Sequence, residues 1–511
     1  VIRASLSPSP VANSRGILLA ILSGVLLALA FWRISLGWFC YFALVPFFFT
    51  IRAPRSSFIF GWVAGIAFFS GLLWWLLFLQ AEDVSVTLLA AGVVVLIIYL
   101  SIYVALFSVI LSVARKWCGD IAFLLSPFVW VSLEYSRGLT SLGFPWGTLA
   151  YSQAGYATAI QLASLGGPQI ISGWIVLINV LLLLSIRHFR NPWRCSLFLV
   201  VFAITLLLPL GWGRIHISNG CGPKMRVALL QVNLDPRRVT DRTYKDEIVP
   251  VIEKMVRHAA MDGSHLCIMP ESALPRFLTH ERAYRTLLTE LSRDTDIPIL
   301  TGATRYEYSD AQFHFFNSAL FFTPDGTVDH YDKLHPVPFS ERLPYDDVIP
   351  WLTKIQFGQG SFSPGKEFKV FSPDGASFSV LICFESIFPR LARRFVHEGA
   401  EFLVNITNDS WFGDTPGPYQ HARMAILRAV ETRVAIARCA NTGVSMFIDP
   451  YGRVTQTTDL FTRTLIVGDI PMVSDGPTLY GRWGEWFSIC SLVISAVLLF
   501  LMIGREFRSR L

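Results

Sequence analysis

Eight apolar runs, at roughly 16–32, 35–51, 58–80, 86–113, 121–136, 159–186, 196–212 and 486–503, restrict this chain more than anything else in it. A helix needs about 20 mainly apolar residues to cross the hydrocarbon core of a bilayer, with about 17 to 25 tolerated. Runs of about that length, seven before residue 213 and one after 485, read as eight membrane spans. Composition agrees: 53% of the 511 residues are hydrophobic and 16% are charged, against about 25% charged in a typical soluble domain. Residues 213–485 have ordinary charge and turn content. The expected organisation is therefore a seven-helix membrane domain over 1–212, a water-soluble domain over 213–485, and an eighth span with a tail over 486–511.

The basic residues explain themselves by topology. Arg3 and Arg15 precede the first run, which leads almost directly into a second without a small-residue cleavage site, so it reads as a retained anchor rather than a signal peptide. Short cytoplasmic loops collect Lys and Arg. With the N-terminus inside, the inner loops hold Arg52 and Arg55, Arg115 and Lys116, and Arg187, Arg190 and Arg194, and the tail holds Arg505, Arg508 and Arg510. The opposite loops hold Glu82 and Asp83 or the 143–146 segment; Arg33 and Arg137 are the exceptions. Residues 213–485 then lie outside the cytoplasm, with both termini inside. The net charge of +6 is scattered and gives no nucleic-acid surface. The eight cysteines, at 40, 118, 195, 221, 267, 383, 439 and 490, show no zinc or disulfide spacing. Glu134, near a span end, is expected either to reach the interface and pair with Arg137 or to line a headgroup mouth with Trp146 and Tyr151.

In the soluble part, strands are expected at 225–231, 265–269, 297–301, 317–323, 377–382, 402–407, 434–439 and 444–449, and helices at 244–261, 280–293 and 418–432. That alternation argues an α/β sheet covered by helices. Side chains at the carboxyl ends of neighbouring strands share one crevice. Glu271 and Cys383 both follow strands, and Lys333 lies in a proline-rich loop eight residues before Glu341. Each alone is ordinary: a free cysteine is usually a small buried apolar group. Together they form a chemical set. A carboxylate can take the thiol proton, an ammonium can stabilise a tetrahedral oxyanion, and the thiolate can carry an acyl group.

Pro270-Glu271-Ser272, Lys333 with Pro338 and Glu341, Ile382-Cys383-Phe384-Glu385 and Asn408-Asp409-Ser410-Trp411-Phe412-Gly413 resemble the Glu-Lys-Cys motifs of the nitrilase (carbon-nitrogen hydrolase) superfamily. With the spans, and with Gly143-Phe144-Pro145-Trp146 followed by Tyr151-Ser152-Gln153, the chain resembles that superfamily's membrane-embedded apolipoprotein N-acyltransferase family. The resemblance implies an α-β-β-α sandwich and a ping-pong reaction in the bacterial inner membrane, with the catalytic domain periplasmic. Cys383 would take an acyl chain from phosphatidylethanolamine as a thioester and pass it to the α-amino group of a lipoprotein's N-terminal diacylglyceryl-cysteine. Glu271 would be general base, Lys333 the oxyanion-stabilising residue, Glu341 and Glu385 supporting carboxylates, Phe384 a neighbour of the thiol, and Trp146 and Trp411 substrate contacts. No metal, nucleotide or other cofactor is implied, and a monomer is expected.

Three departures stand out. Val232 follows Gln231 where the family often has glycine, and Arg237-Arg238-Val239-Thr240 lacks the family's tryptophan; Phe384 stands where many relatives have tyrosine. Two rival readings are a tethered amidase acting on a small soluble amide with water as acceptor, and a transporter with an inert outer domain. One span would tether an amidase, and a transporter would mark its path with ionisable residues inside the spans, which are scarce apart from Glu134. Extracting acyl chains into water costs about 0.8 kcal/mol per CH₂, so a reaction on lipid gains from a site at the bilayer surface.

Overall fold

The computed structural model describes residues 10–80, 84–140, 142–217, 222–235, 238, 242–273, 282–346, 362–373, 375–472 and 476–508. Glu82, Asp83, Cys221, Arg237, Val239, Thr240 and Arg510 therefore lie outside the described residues, as does Arg3. The chain forms two compact units: 1–77, 86–216 and 485–511 in one, and 78–85 with 217–484 in the other.

The first unit is helical. Among its described residues, six helices are long and apolar enough to cross a membrane, at Ser14–Trp32, Pro54–Phe78, Val86–Ser136, Pro168–Arg187, Pro192–His216 and Trp486–Arg505. Eight apolar runs map onto these six long helices for two local reasons, and Val86–Ser136 alone covers two of the runs. Residues 35–51 contain Gly37 and Pro46 and break into a 3₁₀ turn, Ile34–Tyr41, and the short helix Val45–Phe48. The runs at 86–113 and 121–136 are joined without a loop, through Gly119 at φ +61° and the 3₁₀ segment Gly119–Leu125. The 159–186 run likewise starts its long helix only at Pro168, after Gly167 at φ +73°. In the most apolar stretch of Pro192–His216 no residue is fully buried within the protein, as in a helix with one side on lipid.

Glu134 is enclosed by protein. It is buried, and its Oε1 accepts from the Leu149 amide at 2.9 Å and the Trp130 indole at 3.2 Å. The turn after Pro145 supplies that amide, while the Arg137 guanidinium lies over the Phe69 ring at 5.4 Å.

The second unit is built on two sheets. The first has the order β11-β1-β2-β3-β4-β5 and the second β10-β9-β8-β7-β6. Their ranges are β1 Lys224–Gln231, β2 Leu266–Ile268, β3 Ile299–Ser309, β4 Gln312–Phe322, β5 Val328–Asp332, β6 Phe378–Ile382, β7 Phe402–Thr407, β8 Ala435–Ala440, β9 Met446–Ile448, β10 Val454–Thr457 and β11 Thr464–Pro471. β1, β2 and β3 pair in parallel, as do β6, β7 and β8. Such strands are covered on both faces and read as continuous apolar runs; β6, β7 and β8 are buried at every residue.

One face of the first sheet packs on the helices Arg242–Met261 and Arg282–Thr295, through Ile248, Ile252, Val256, Leu288 and Leu291 against Leu230, Ile299 and Leu320. The other face meets the second sheet, where the Cys439 thiol of β8 sits against the carbonyls of Leu230 and Ile268 at 3.5 and 3.3 Å. The helices Pro389–His397 and Pro416–Thr432 pack against the second sheet. The result is a layered sandwich of helices, two sheets and helices. β5, β10 and β11 were not expected, and β3 and β4 extend well beyond 297–301 and 317–323 as an eleven-residue pair.

Candidate active site

β4 runs antiparallel to both β3 and β5, so β2, β3 and β5 all point the same way. Their carboxyl ends therefore open on one side of the first sheet. β2 delivers Met269-Pro270-Glu271, and the chain then turns at Ser272, φ +55°. β5 delivers Lys333, whose amide is fixed by the Asn317 carbonyl at 2.9 Å and whose carbonyl accepts from Gly365 at 2.7 Å.

The three charged groups are brought together and buried. Lys333 Nζ lies 2.9 Å from the Glu341 carboxylate and 3.8 Å from Glu271 Oε1. Asn317 spans the two acids, donating to Glu271 at 2.7 Å and to Glu341 at 2.8 Å. The Asn408 amide, at the end of β7, donates to the second Glu271 oxygen at 2.8 Å, and the Val337 amide donates to Glu341 at 2.7 Å.

Cys383 follows β6 with φ +50°, a conformation that costs a non-glycine residue about 1–3 kcal/mol and survives only where its surroundings enforce it. Glu385 ties this turn to the Lys333 loop. One of its oxygens accepts from the Tyr331 hydroxyl at 2.8 Å and from the amides of Leu334 and His335 at 2.7 and 3.2 Å; the other accepts from the Ile382 amide at 2.8 Å. Phe384 turns away to pack edge-on against Phe388, centroids 5.2 Å apart. Trp411 lies in the 3₁₀ turn Asp409–Phe412, and its carbonyl accepts from the Gln80 amide at 3.0 Å. Trp146 belongs to the helical unit, where it is buried between Phe144 and Trp75 at 5.8 and 5.5 Å. Gln231 is taken up in structure: it donates to the Asp459 carbonyl at 2.8 Å and accepts from Ser445 and Thr458, each at 2.7 Å.

Electrostatics follows from that geometry. Burial raises Glu271 above the ordinary carboxylate range; Lys333 opposes this and Glu341 adds to it. Burial works against the Lys333 charge, but Glu341 and then Glu271 and Cys383 outweigh it and hold the ammonium above its usual value. Burial, then the nearby Glu271, pushes the Cys383 thiol up, with Lys333 opposing. Burial also pushes Glu385 up to about 7. The resting pocket thus holds a protonated thiol beside a carboxylate with raised proton affinity, and moving the proton between them needs no change in net charge.

Sequence reasoning missed Asn317, whose signal is a lone amide in an apolar strand, and also His421 and Arg438, polar residues inside a buried helix and strand. Cys383, Asp409 and His421 place ligand-type atoms within 4.8 Å of one another. A cation fits poorly there, because Arg438 already donates to Asp409 Oδ2 at 2.8 Å.

A tight contact positions Glu271. A Cβ built on Gly302 of β3 would stand 2.5 Å from the Glu271 Cα. Gly302→Ala is expected to shift Glu271 and slow its chemistry about 10²-fold, the scale of an ångström misplacement; single-turnover acylation of Cys383 measures it, and an unchanged rate would dismiss the contact as unimportant.

Two family models match the chain: carbon-nitrogen hydrolase over residues 226–478 and the apolipoprotein N-acyltransferase N-terminal domain over 23–181. An apolipoprotein N-acyltransferase of Geobacter metallireducens is 35% identical over 504 residues, covering 96% of this chain and 96% of its own. The chain belongs to the apolipoprotein N-acyltransferase family. A family member from Chlorobaculum tepidum is 30% identical over 502 residues, covering 90% of this chain and 92% of its own. Among solved structures, an amidase from Nesterenkonia sp. matches 53% of this chain and 100% of its own at 21% identity, with a TM-score of 0.38. As an apolipoprotein N-acyltransferase family member, the chain is a membrane acyltransferase with a carbon-nitrogen hydrolase domain.

Proposed function

We propose that this acyltransferase moves an acyl chain from phosphatidylethanolamine, through a thioester on Cys383, to the α-amino group of the diacylglyceryl-cysteine at the N-terminus of apolipoproteins. Glu271 accepts the thiol proton as Sγ attacks the ester carbonyl carbon. The oxyanion of the tetrahedral intermediate develops toward the Lys333 ammonium. As the intermediate collapses, the ester C–O bond breaks, and the lysophospholipid oxygen takes the proton back from Glu271. In the second half the lipoprotein amine attacks the thioester, Glu271 takes the amine proton, and the departing Cys383 thiolate recovers it. Glu341 keeps Lys333 charged, Glu385 sets the turn that carries the thiol, and Trp411 contacts the lipid substrate. The catalytic domain faces the periplasm, both termini the cytoplasm of a bacterial inner membrane, and the protein acts as a monomer.

The observation that carries this reading is the buried Glu271–Lys333–Glu341 cluster electrostatically coupled to the Cys383 thiol, in a chain with apolar helices enough to hold it in lipid. Mass spectrometry of the full-length protein incubated with phosphatidylethanolamine vesicles tests it. The expected result is an acyl adduct on Cys383 that hydroxylamine removes and that Cys383→Ala lacks. Lipoprotein acylation proceeding with an unmodified thiol would overturn it, and acylation by a small soluble amide but not by lipid would favour the amidase alternative.

A further inference from the structure

The pocket behind the thiol contains a second ordered constellation. Asp409 Oδ1 is 2.9 Å from His421 Nδ1, and His421 Nε2 is 3.1 Å from Ser386 Oγ. That is the connectivity of a serine hydrolase triad. Its burial excludes that use: Asp409, His421 and Ser386 are 0%, 1% and 0% exposed, so no substrate reaches the hydroxyl. What the hydroxyl does reach is the main chain of the nucleophile. Ser386 Oγ donates to the Cys383 carbonyl at 2.9 Å, and His421 Nε2 lies 3.2 Å from the same oxygen.

We propose that Asp409, His421 and Ser386 form a positioning chain that grips the Cys383 carbonyl, and thereby holds the left-handed turn from which the thiol faces Glu271 and Lys333. The proposal rests on the reading of Cys383 as the acylated residue.

The chain is anchored at its far end. Despite burial, Arg438 first and then His421 hold the Asp409 carboxyl down at about 2, so it is ionised and fixes the proton of the ring on Nδ1. Thr407 Oγ1 donates to Asp409 Oδ1 at 3.0 Å, and Arg438 also grips Asn405 of β7, whose amide bonds the Leu381 carbonyl of β6 at 2.8 Å. Opposite, a Cβ at Gly443 would run into the Asp409 carboxylate, so that glycine leaves room for it. The Phe412 ring stands edge-on to the imidazole at 6.0 Å. With Nδ1–H committed to Asp409, Nε2 is an acceptor, and the single Ser386 proton serves either Nε2 at 3.1 Å or the Cys383 carbonyl at 2.9 Å, so the hydroxyl is held between the ring and that carbonyl. A residue at φ +50° requires such enforcement.

The test measures single-turnover acylation of Cys383 by phosphatidylethanolamine in full-length protein carrying His421→Leu, His421→Gln or Ser386→Ala, with melting temperature alongside. The leucine and alanine variants are expected to lose about 10²-fold in kcat with KM for lipid unchanged. Glutamine, which places an amide where Nε2 stood, should return the rate to within about tenfold of wild type. Wild-type kcat in the leucine and alanine variants would overturn the proposal, as would a glutamine variant as slow as the leucine one. Should the leucine variant not fold, Ser386→Ala, which deletes one oxygen, is decided by the same kcat criterion. A wild-type protein that forms no Cys383 adduct would instead sink the proposed function itself.

Discussion

Glu271→Gln is expected to leave Cys383 unacylated in a protein that still folds. Glutamine keeps an acceptor oxygen for Asn317 or the Asn408 amide, which now bind Glu271 at 2.7 and 2.8 Å, but it cannot take a proton. The thiol lies well above its ordinary range because it is buried beside a carboxylate, so without a base almost no thiolate forms at neutral pH. General-base contributions run to about 10²–10⁴-fold, and the upper end applies where the nucleophile is this strongly protonated.

The fold should not suffer. A carboxyl whose affinity for protons is raised on folding favours the folded state below its ordinary pKa and withdraws that contribution as pH rises through the folded value; a neutral amide avoids this cost at neutral pH. The wild-type acylation rate should fall as pH is lowered through an apparent value above the usual 4.5, and that limb should vanish in whatever activity the variant retains. Rapid-quench acylation between pH 4 and 8 measures both, and a wild-type rate in the variant would remove Glu271 from the mechanism.

Lys333→Met should damage both chemistry and stability. The ammonium is 1% exposed, 2.9 Å from Glu341 and 3.8 Å from Glu271. Methionine fills the volume but leaves two buried carboxylates facing each other, and breaking a buried ion pair from one side costs about 3–5 kcal/mol. Because the folded lysine is held above its ordinary 10.5, its stabilising contribution is complete below that pH and is lost only as pH rises through the folded value. At neutral pH the full loss is therefore felt in the variant, and acidification should relieve part of it as the carboxyls take up protons. Acylation should drop about 10²–10³-fold for want of oxyanion stabilisation. Thermal unfolding from pH 5 to 9, paired with the acylation assay, tests both; an unchanged melting temperature would mean that the cluster is not held together by this charge.

The sequence made some of this site legible and hid the rest, for identifiable reasons. β6 and β7 are short apolar runs ended by turn residues, so the placement of Cys383 and Asn408 at strand ends could be read directly. The strand that delivers Lys333 could not: β5, Val-Asp-His-Tyr-Asp, alternates on a partly exposed edge and looks like the loop after it. β10 is exposed at every residue and carries no burial signal. In the helical unit, composition counted apolar length well but did not register the breaks at Gly37, Pro46 and Gly119, hence eight apolar runs against six long helices, of which Val86–Ser136 covers two runs. Asn317, His421 and Arg438 were invisible because a polar residue in an apolar run declares that it has partners without saying which. Glu271, Glu341 and Asp409, the acids they bind, come from strand ends and turns 12 to 46 positions away.

The seam between the two sheets has a consequence of its own. Glu271 and Lys333 ride on one sheet, while the Cys383 thiol rides on the other. Neither half is a machine by itself, so turnover reports how faithfully two separately hydrogen-bonded slabs are registered. The methyl-sized details along their shared face, such as the Cys439 sulfur wedged against two main-chain oxygens, act as shims for chemistry taking place at the rim.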